Sequence, residues 1–441
     1  MLENPNLERD ARRALRGGFV RDGAIVFASW MLINVLSYAI HFVLSRRLGI
    51  SDYGAFASII AVLAIFGIPA AIATMVVVKF VAEFHAVDDR GKIRTLSVRV
   101  LTGSGILSAL VVFLAIAFRW QIAGYLHLSA TAEVVAASCA LGGGLLLPAV
   151  RAVLQGTQDF VAFAISISID AVARVGLAVA LVYAGYGVTG AFAAYAVASF
   201  LSLGYTLAAA SGHWENVRAP LAIGARRLFA TMGGAIVGTA AITFMGYIDV
   251  TLVKHFFSVT DAGIYSAASF GGKMLFFVVG FVPLLILPKA AQHAVAGKPA
   301  RTILMQGVAL TAALAGVGLA VFYLVPQIVI RITYGAAFIG AAPYLFEYGV
   351  AMSLLGITNV VVTYKVGLHR FGFVGPLLAM AVIEPLAIAF FHPTLNAVIH
   401  VLLAANAAAL LFCLIDSPKA RLLGAVVAAD SGTAPDYTAS A

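Results

Sequence analysis

One lysine lies deep within a long apolar stretch of this 441-residue sequence. Lys273 falls inside the apolar run 263–287, and Ser269 and Ser266 precede it at spacings of one and two helical turns. Residues spaced in this way share one face of a helix. An ammonium group in a low-dielectric environment attracts anions strongly, so this face is suited to binding an anionic group such as a diphosphate. We therefore predict that Ser266, Ser269 and Lys273 line a polar cavity.

A second pair of charges occupies another apolar run. Asp170 and Arg174 are four residues apart within 161–184, so they share one side of a helix and can pair with each other. A charge near the centre of a bilayer costs roughly 2.5–3.5 kcal/mol, so such residues usually face a protein interior or water. Two interpretations stay open: a self-neutralising pair that fixes one helix against another, or a charged wall of a substrate cavity.

The first apolar run carries a continuous polar strip. Its members recur at intervals of three and four residues, and they are Asn34, Ser37, Tyr38 and His41. This spacing places them on one face of an otherwise apolar helix. Hydrogen-bonded packing against another helix is one explanation, and cavity lining is the one we favour. Thr239 and Thr243 lie on the same cavity if the seventh apolar run mirrors the first.

Two further acidic residues are candidates for binding a coupling ion. Asp249 lies near the outer end of the seventh apolar run, where it could be merely interfacial. Glu384 lies in the middle of the eleventh run, directly before Pro385. A proline inside a helix frees one carbonyl and kinks the helix. Glu384 could therefore be a proton site, a partner for a cation or a capped structural group.

The sequence lacks the motifs of soluble catalysis. It contains no GxxxxGK[ST] loop for nucleotide phosphates and no HExxH, GxSxG or CxxC motif. Its two cysteines, Cys139 and Cys413, both fall in apolar runs and suggest neither a disulfide nor a metal site. We expect no enzyme activity, no cofactor and no bound metal.

Composition indicates a membrane protein. Hydrophobic residues make up 62% of the chain and charged residues 11%, against about 45–50% and about 25% in soluble domains. A membrane-spanning helix needs roughly 20 apolar residues. The runs that meet this requirement are 23–44, 54–78, 100–118, 134–150, 161–184, 190–210, 229–253, 263–287, 303–324, 343–364, 372–391 and 395–415. We therefore predict an all-α polytopic membrane protein with twelve transmembrane helices.

The basic residues set the predicted orientation. Of the 28 Lys and Arg residues, 21 fall on the side that holds the N-terminus, Arg151 in the loop 151–160 among them, and five fall on the other side. Because positive loops stay in the cytoplasm, we expect both termini there, in a bacterial inner membrane. The net charge of +9 then reflects topology and anionic lipid rather than nucleic acid. The remaining segments are a basic leader (1–22), a cytoplasmic linker (211–228) and a tail (416–441) that we predict to be disordered.

Internal repeats divide the chain into two halves. The motif ISDYGAFAS at 50–58 returns as VTDAGIYSA at 259–267, with Gly54 aligned to Gly263. Weaker echoes follow at nearly the same offset, QGTQDF (155–160) with VGLHRF (366–371) and WQIA (120–123) with PQIV (326–329). This offset predicts six-helix lobes at 23–210 and 229–415, related by a parallel pseudo-twofold axis along the membrane normal. Transporters built in this way bind their ligand between the repeats.

Four segments together resemble the Wzx-type oligosaccharide flippases, the polysaccharide transporter branch of the multidrug/oligosaccharidyl-lipid/polysaccharide (MOP) exporter superfamily. They are SRRLGISDYGAFA (45–57), LQGTQDF (154–160), YIDVTLVKHFFSVTDAGIYSAA (247–268) and IRITYGAAFIGAAPYL (330–345). The resemblance covers most of the chain. It implies a MATE-like V of two lobes around a central cavity, and the flipping of undecaprenyl-diphosphate-linked sugar units from the cytoplasmic to the outer leaflet by alternating access.

The partners that this resemblance implies are a lipid-linked oligosaccharide, the bilayer and, in the cell, a glycan polymerase and chain-length proteins. Three alternatives stay open: a cation-coupled multidrug exporter of the same fold, a lipid II flippase, and a non-transporting membrane scaffold of a glycan assembly complex. A lipid II flippase of this superfamily is expected to carry several arginines in helices 1, 2 and 8. Helix 8 of this chain offers only Lys273, and helix 1 has no arginine inside its span.

Overall fold

The computed structural model describes residues 5–214, 220, 225–295, 301–368 and 370–415. Within them the α-helices are α1 Pro5–Phe66, α2 Ile68–His85, α3 Arg90–Ala117, α4 Arg119–Tyr125, α5 Thr131–Gly156, α6 Phe160–Leu181, α7 Gly187–Ser211, α8 Ala225–Met245, α9 Ile248–Phe256, α10 Val259–Val279, α11 Val282–Val295, α12 Arg301–Leu324, α13 Pro326–Thr333, α14 Ala342–Gly367, α15 Val374–Phe390 and α16 Leu395–Leu414. These residues contain no β-strand. The predicted all-α class is confirmed, whereas the tail 416–441 and part of the linker 211–228 lie outside the described residues.

The predicted membrane spans all lie on helices. Among the described residues, ten helical segments are long and apolar enough to cross a membrane, and Val374–Phe390 is a shorter apolar helix. One of the ten, Phe160–Ser211, holds the predicted fifth and sixth spans, which the π-helical turn Val182–Tyr186 joins. The chain is therefore a multi-pass membrane protein.

Three predicted spans are broken rather than continuous. The breaks fall at Gly67, at Gly246–Tyr247 and at Gly280–Phe281, in the second, seventh and eighth spans. Hydropathy does not reveal them because apolar residues continue through each break. The break at Gly246–Tyr247 matters most for function, since it places Asp249 in the first turn of α9.

Helix α5 extends beyond its predicted span. The apolar run stops at residue 150, but the helix continues to Gly156. Arg151 therefore lies on a helix and not in a cytoplasmic loop, which corrects the prediction from the sequence. One arginine is enough to end an apolar run, yet it does not end a helix when neighbouring helices supply its hydrogen-bond partners.

Tertiary contacts divide the chain into two compact units. Unit 1 contains the described parts of Met1–Arg47, Pro69–Gly124 and Leu128–Ala222. Unit 2 contains the described parts of Leu48–Ile68, Tyr125–His127 and Ile223–Ala441. The segment Leu48–Ile68, although it precedes most of unit 1 in the sequence, thus packs with unit 2.

The two copies of the best-preserved repeat motif meet within unit 2. A Cβ atom built on Gly54 would lie 2.9 Å from the Cα of Gly263, and one built on Gly263 would lie 2.2 Å from the carbonyl oxygen of Ile50. Neither helix has room for a side chain at this crossing. The weakest repeat, WQIA (120–123) with PQIV (326–329), also has a structural counterpart. Its two segments lie on the short helices α4 and α13, and each of these helices separates two long ones.

Candidate functional site

A buried carboxylate follows the break in the seventh span. Helix α8 ends at Met245, and the chain resumes helical geometry at Ile248, so Asp249 lies in the first turn of α9. Unpaired N–H groups and the helix dipole stabilise a carboxylate at such an N-terminus. Asp249 is 0% exposed. It is therefore a core residue of the protein.

Side chains of α10 and α14 surround Asp249. Its Oδ2 accepts hydrogen bonds from the hydroxyls of Tyr265, at 2.8 Å, and Tyr348, at 2.7 Å. The ammonium of Lys273 lies 3.7 Å from Oδ1 and donates to Ser269 Oγ at 2.6 Å. Ser269 Oγ in turn donates to the Tyr348 hydroxyl oxygen at 2.8 Å. The acid, the amine and three hydroxyls form one connected network.

Aromatic rings enclose the ammonium of Lys273. It lies 4.9 Å from the ring centroid of Tyr247, 5.0 Å from that of Phe270 and 5.5 Å from that of Tyr348. Such cation–π contacts partly replace the water that a buried ammonium loses. Gly272 lets α14 come this close, because a Cβ there would lie 2.5 Å from Tyr348 Cδ1.

Glu384 supplies a second acid to this part of unit 2. It lies on α15, is fully buried, and interacts electrostatically with Asp249 and Lys273. Both of its carboxyl oxygens lack a hydrogen-bond partner among the described residues. In the described core of unit 2, two carboxyl groups therefore interact electrostatically with one ammonium.

Unit 1 buries a different network, centred on Arg151. Its guanidinium donates to Ser166 Oγ at 2.8 Å, to the Ser166 carbonyl at 3.0 Å and to Ser202 Oγ at 3.0 Å. It also lies 3.4 Å from a carboxylate oxygen of Asp170. The hydroxyls of Ser166 and Thr206 are 2.6 Å apart. Arg151 thereby joins α5 to both α6 and α7.

Arg174 does not pair with Asp170 as the helical spacing predicts. Asp170 pairs with Arg151 instead, and the Arg174 guanidinium lies 5.1 Å from the ring centroid of Tyr195. No carboxylate of the described residues lies within salt-bridge distance of Arg174. The cause is that Arg151 approaches from a neighbouring helix, which spacing along α6 cannot show. Asp170 and Arg174 are on the largely buried face of α6 and yet remain partly accessible.

The other predicted residues differ in burial. On α1, Asn34, Ser37 and Tyr38 are half-buried and His41 is buried. Thr239 is exposed, Thr243 half-buried, and Ser266 buried. The structure joins Ser269, Lys273 and Asp249 in unit 2, while Asp170 and Arg174 belong to unit 1. No group of three or more His, Cys, Asp or Glu side chains in the described part of the chain is arranged to hold a metal ion.

Several residues of these networks were not predicted. They are Arg151, Ser202 and Thr206 in unit 1, and Tyr265 and Tyr348 in unit 2. A signal was available for Tyr265, because the repeat aligns it with Phe56 and thus adds a hydroxyl to an otherwise matching motif. The others become visible only when neighbouring helices are known.

Comparison with solved structures identifies the fold. An inward-facing multidrug resistance MATE transporter of the MOP superfamily has 13% identity and a TM-score of 0.67, covering 93% of this chain and 99% of that chain. The lipid II flippase MurJ, in its inward closed conformation, has 13% identity and a TM-score of 0.68, covering 92% and 90%. The fold is that of the MATE transporters and MurJ. The Vibrio cholerae MATE transporter VcmN in its bent form also matches, with 15% identity and a TM-score of 0.57, covering 93% and 98%.

The sequence itself gives no comparable match. No protein-family model and no curated protein sequence matches this chain. The matching structures are transporters and a flippase rather than enzymes. At their level of identity they establish the fold alone, so the substrate has to be argued from this chain's own residues.

Proposed function

We propose that this protein flips undecaprenyl-diphosphate-linked oligosaccharides from the cytoplasmic to the outer leaflet by alternating access. Its multi-pass architecture and a fold shared with the lipid II flippase MurJ support this function. In this proposal both termini are cytoplasmic and the membrane is the bacterial inner membrane. A glycan polymerase and chain-length proteins then act on the exported units.

The observation that carries the proposal is the excess positive charge of one group of side chains in unit 1, formed by Arg151, Asp170 and Arg174. Arg151 and Arg174 supply two guanidinium groups, whereas Asp170 supplies one carboxylate. An uncompensated cation within a membrane-spanning helix is costly unless an anion or water approaches it. Guanidinium groups bind phosphate oxygens through charge-assisted hydrogen bonds. A lipid diphosphate supplies the missing negative charge, and the partial accessibility of Arg174 leaves it room to bind.

Other predicted residues receive roles in this proposal. The half-buried strip Asn34, Ser37 and Tyr38, with Thr239 and Thr243, offers hydrogen bonds to sugar hydroxyls. Ser266, Ser269 and Lys273, which the sequence predicts to line the cavity, are 2% exposed or less, so in this proposal they act from behind the cavity wall. Asp249 and Glu384 couple an ion to the movement. His41 is 6% exposed and contributes mainly by packing.

A multidrug exporter is the second candidate, because two of the matching structures are described as MATE transporters. A cationic drug requires an accessible carboxylate. In this chain Asp249 and Glu384 are fully buried, and Asp170 is paired with Arg151. The arrangement of acids therefore favours an anionic substrate over a cationic one.

The test replaces Arg174 in cells that depend on this protein for surface glycan. Arg174→Ala removes one charge-assisted contact, worth about 1.5–3 kcal/mol, so export is expected to fall roughly 10–100-fold. Arg174→Lys keeps the charge and should retain part of the activity. Arg331→Ala, which removes an exposed arginine at the end of α13, is the matched control.

The measurements are surface glycan, the lipid-linked oligosaccharide that accumulates inside, and drug susceptibility. Loss of glycan with accumulation of the lipid-linked precursor, at unchanged drug susceptibility, supports a flippase. Normal glycan levels in Arg174→Ala, with raised drug susceptibility, would instead identify an exporter. Membrane levels of each variant confirm that the protein inserts.

A further inference from the structure

We infer that the buried cluster of unit 2 binds a proton on Glu384 and excludes sodium, because Lys273 already occupies the cation position beside Asp249. The inference rests on the proposed function and names the ion that couples to it. The cluster comprises Asp249, Tyr265, Lys273, Tyr348 and Glu384.

The first step concerns the space beside Asp249. A metal cation in this position needs several oxygen ligands directed at it. Here the hydroxyls of Tyr265 and Tyr348 donate to Asp249 Oδ2, and Ser269 Oγ accepts from Lys273. The ammonium lies 3.7 Å from Oδ1. A second cation at this distance from the ammonium would be repelled strongly in so dry a place.

The second step is the charge balance. Lys273 neutralises one carboxylate, and the network geometry assigns it to Asp249. Glu384 is fully buried, and neither of its oxygens has a hydrogen-bond partner among the described residues. An uncompensated carboxylate in a protein interior costs several kcal/mol. The cluster is neutral only when Glu384 carries a proton.

The third step identifies the titratable groups that interact electrostatically with Glu384. Asp249 on α9 and Lys273 on α10 are the charged ones. The phenol groups of Tyr265 on α10 and Tyr348 on α14 also interact with it electrostatically. All four are buried. Only one of them is basic, so loss of the proton makes two carboxylates compete for a single ammonium.

Helix α9 also carries Lys254 and His255, and neither is among the charged groups that act on Glu384. The other helices packed on α15 are α8 and α16, and they add no competing group. The described part of α8, Met232–Met245, has no titratable side chain. On α16, His400 is exposed and lies 3.3 Å from Glu347, and the Cys413 thiol interacts with Lys365. The proton state of Glu384 is therefore governed by the Asp249–Lys273 pair.

The consequence is a link between a proton and the electrostatic attraction between two helices. When Glu384 releases its proton to water, its carboxylate attracts the Lys273 ammonium away from Asp249. The two tyrosine hydroxyls and the α9 N-terminus remain to stabilise Asp249. The attraction between α10 and α15 thus rises and falls with one proton, without any metal ion.

Infrared difference spectroscopy on the full chain in liposomes tests the proton site. Wild-type protein should show the carbonyl stretch of a protonated carboxyl group at neutral pH, and Glu384→Gln should lose it. Glu347→Gln, which alters a partly exposed glutamate, is the matched control and should keep the band. A spectrum unchanged by Glu384→Gln would overturn the inference.

Thermal unfolding in sodium chloride and in choline chloride tests the exclusion of sodium. The midpoint of the wild-type protein should be the same in both salts. Lys273→Met vacates the cation position, so sodium should now raise its midpoint by about 2 °C or more. Stabilisation of the wild-type protein by sodium, or an absence of response in folded Lys273→Met, would contradict the inference. If Lys273→Met does not fold, the wild-type comparison alone decides.

Neither measurement depends on glycan export. A lost carbonyl band in Glu384→Gln together with normal export in Arg174→Ala would refute the flippase and leave the proton site standing. The reverse pattern would refute the proton site and leave the flippase standing.

Discussion

Unit 1 and unit 2 both bury charges, but the chemistry of the two networks differs. In unit 1 the planar guanidinium of Arg151 bonds to two neighbouring helices, and the side chains of Arg151 and Asp170 remain 15% and 13% exposed. In unit 2 the ammonium of Lys273 is 2% exposed among aromatic rings. The group Arg151, Asp170 and Arg174 of unit 1 has one cation in excess, whereas the group Asp249, Lys273 and Glu384 of unit 2 has one acid in excess.

This contrast assigns a different task to each unit. Guanidinium groups present several hydrogen-bond donors in a fixed geometry, which suits the binding of phosphate. A buried ammonium that interacts with two carboxyl groups can neutralise only one of them, which favours the binding of a proton by the other. The motifs at 50–58 and 259–267 share the glycines Gly54 and Gly263, which meet where the two helices cross. The two units differ in their buried charges, so the variants below compare the units through those charges.

The largest effect is expected when Lys273 loses both acids. In Asp249→Ala/Glu384→Gln its ammonium is buried without any counter-charge, which costs about 3–5 kcal/mol of unfolding free energy. Asp170→Ala in unit 1 should cost about 1–3 kcal/mol, because Arg151 keeps its hydroxyl and carbonyl acceptors. Denaturation in detergent followed by circular dichroism measures both. A greater loss of unfolding free energy in Asp170→Ala would contradict the prediction that the charges of unit 2 are the more deeply buried ones.

The next effect is the coupling within unit 1. A double-mutant cycle on Asp170 and Arg151 should give an interaction energy of about 1–3 kcal/mol, since the two side chains form an ion pair. The same cycle on Asp170 and Arg174 should give less than about 0.5 kcal/mol. A larger interaction energy between Asp170 and Arg174 would show that these two residues form the ion pair, as the helical spacing predicts.

A steric effect follows at the repeat crossing. Gly263→Ala forces a methyl group against the Ile50 carbonyl and should cost about 1–3 kcal/mol of stability. Gly316→Ala on α12 is the control, because a Cβ there meets no atom within 4 Å. That change should be neutral or stabilise the helix by up to about 1 kcal/mol. Equal midpoints for the two variants would show that the crossing tolerates a side chain.

The smallest effect concerns water beside α1. In a background without native cysteines, Asn34→Cys and Tyr38→Cys should react with an aqueous thiol reagent faster than Ile40→Cys, which replaces a residue that is 1% exposed. His41→Cys should react slowly, although the sequence pattern groups His41 with the accessible strip. Uniform protection would show that no water reaches this helix.

The fold could be predicted from hydropathy and repeats because each span must satisfy its own backbone in lipid. The breaks could not. Gly246 and Tyr247 interrupt the helix of the seventh span, although the sequence stays apolar through them. Because α9 begins directly after this break, Asp249 lies at a helix N-terminus, which hydropathy alone does not predict. Arg151 shows the opposite error, since a single charge ended a predicted span where the helix continues.

The candidate sites were predictable where one helix sufficed. Ser269 and Lys273 share a face of α10, and the structure joins them by a hydrogen bond. The pairing of Asp170 with Arg174 was wrong because a residue on another helix made the better contact. Tyr348, which lies far from Asp249 in sequence, could not be placed beside it by spacing alone.

The crossing of Gly54 and Gly263 bears on ancestry. If the chain arose by fusion of two identical genes, this contact began as a self-contact across the dyad of a homodimer. A substitution at this glycine would then have changed both subunits of the contact at once. After fusion the constraint became unequal: the methyl group of an alanine at position 263 meets the carbonyl oxygen of Ile50 at 2.2 Å, whereas one at position 54 meets backbone at 2.9 Å. Descendants should therefore lose the first glycine more readily than the second.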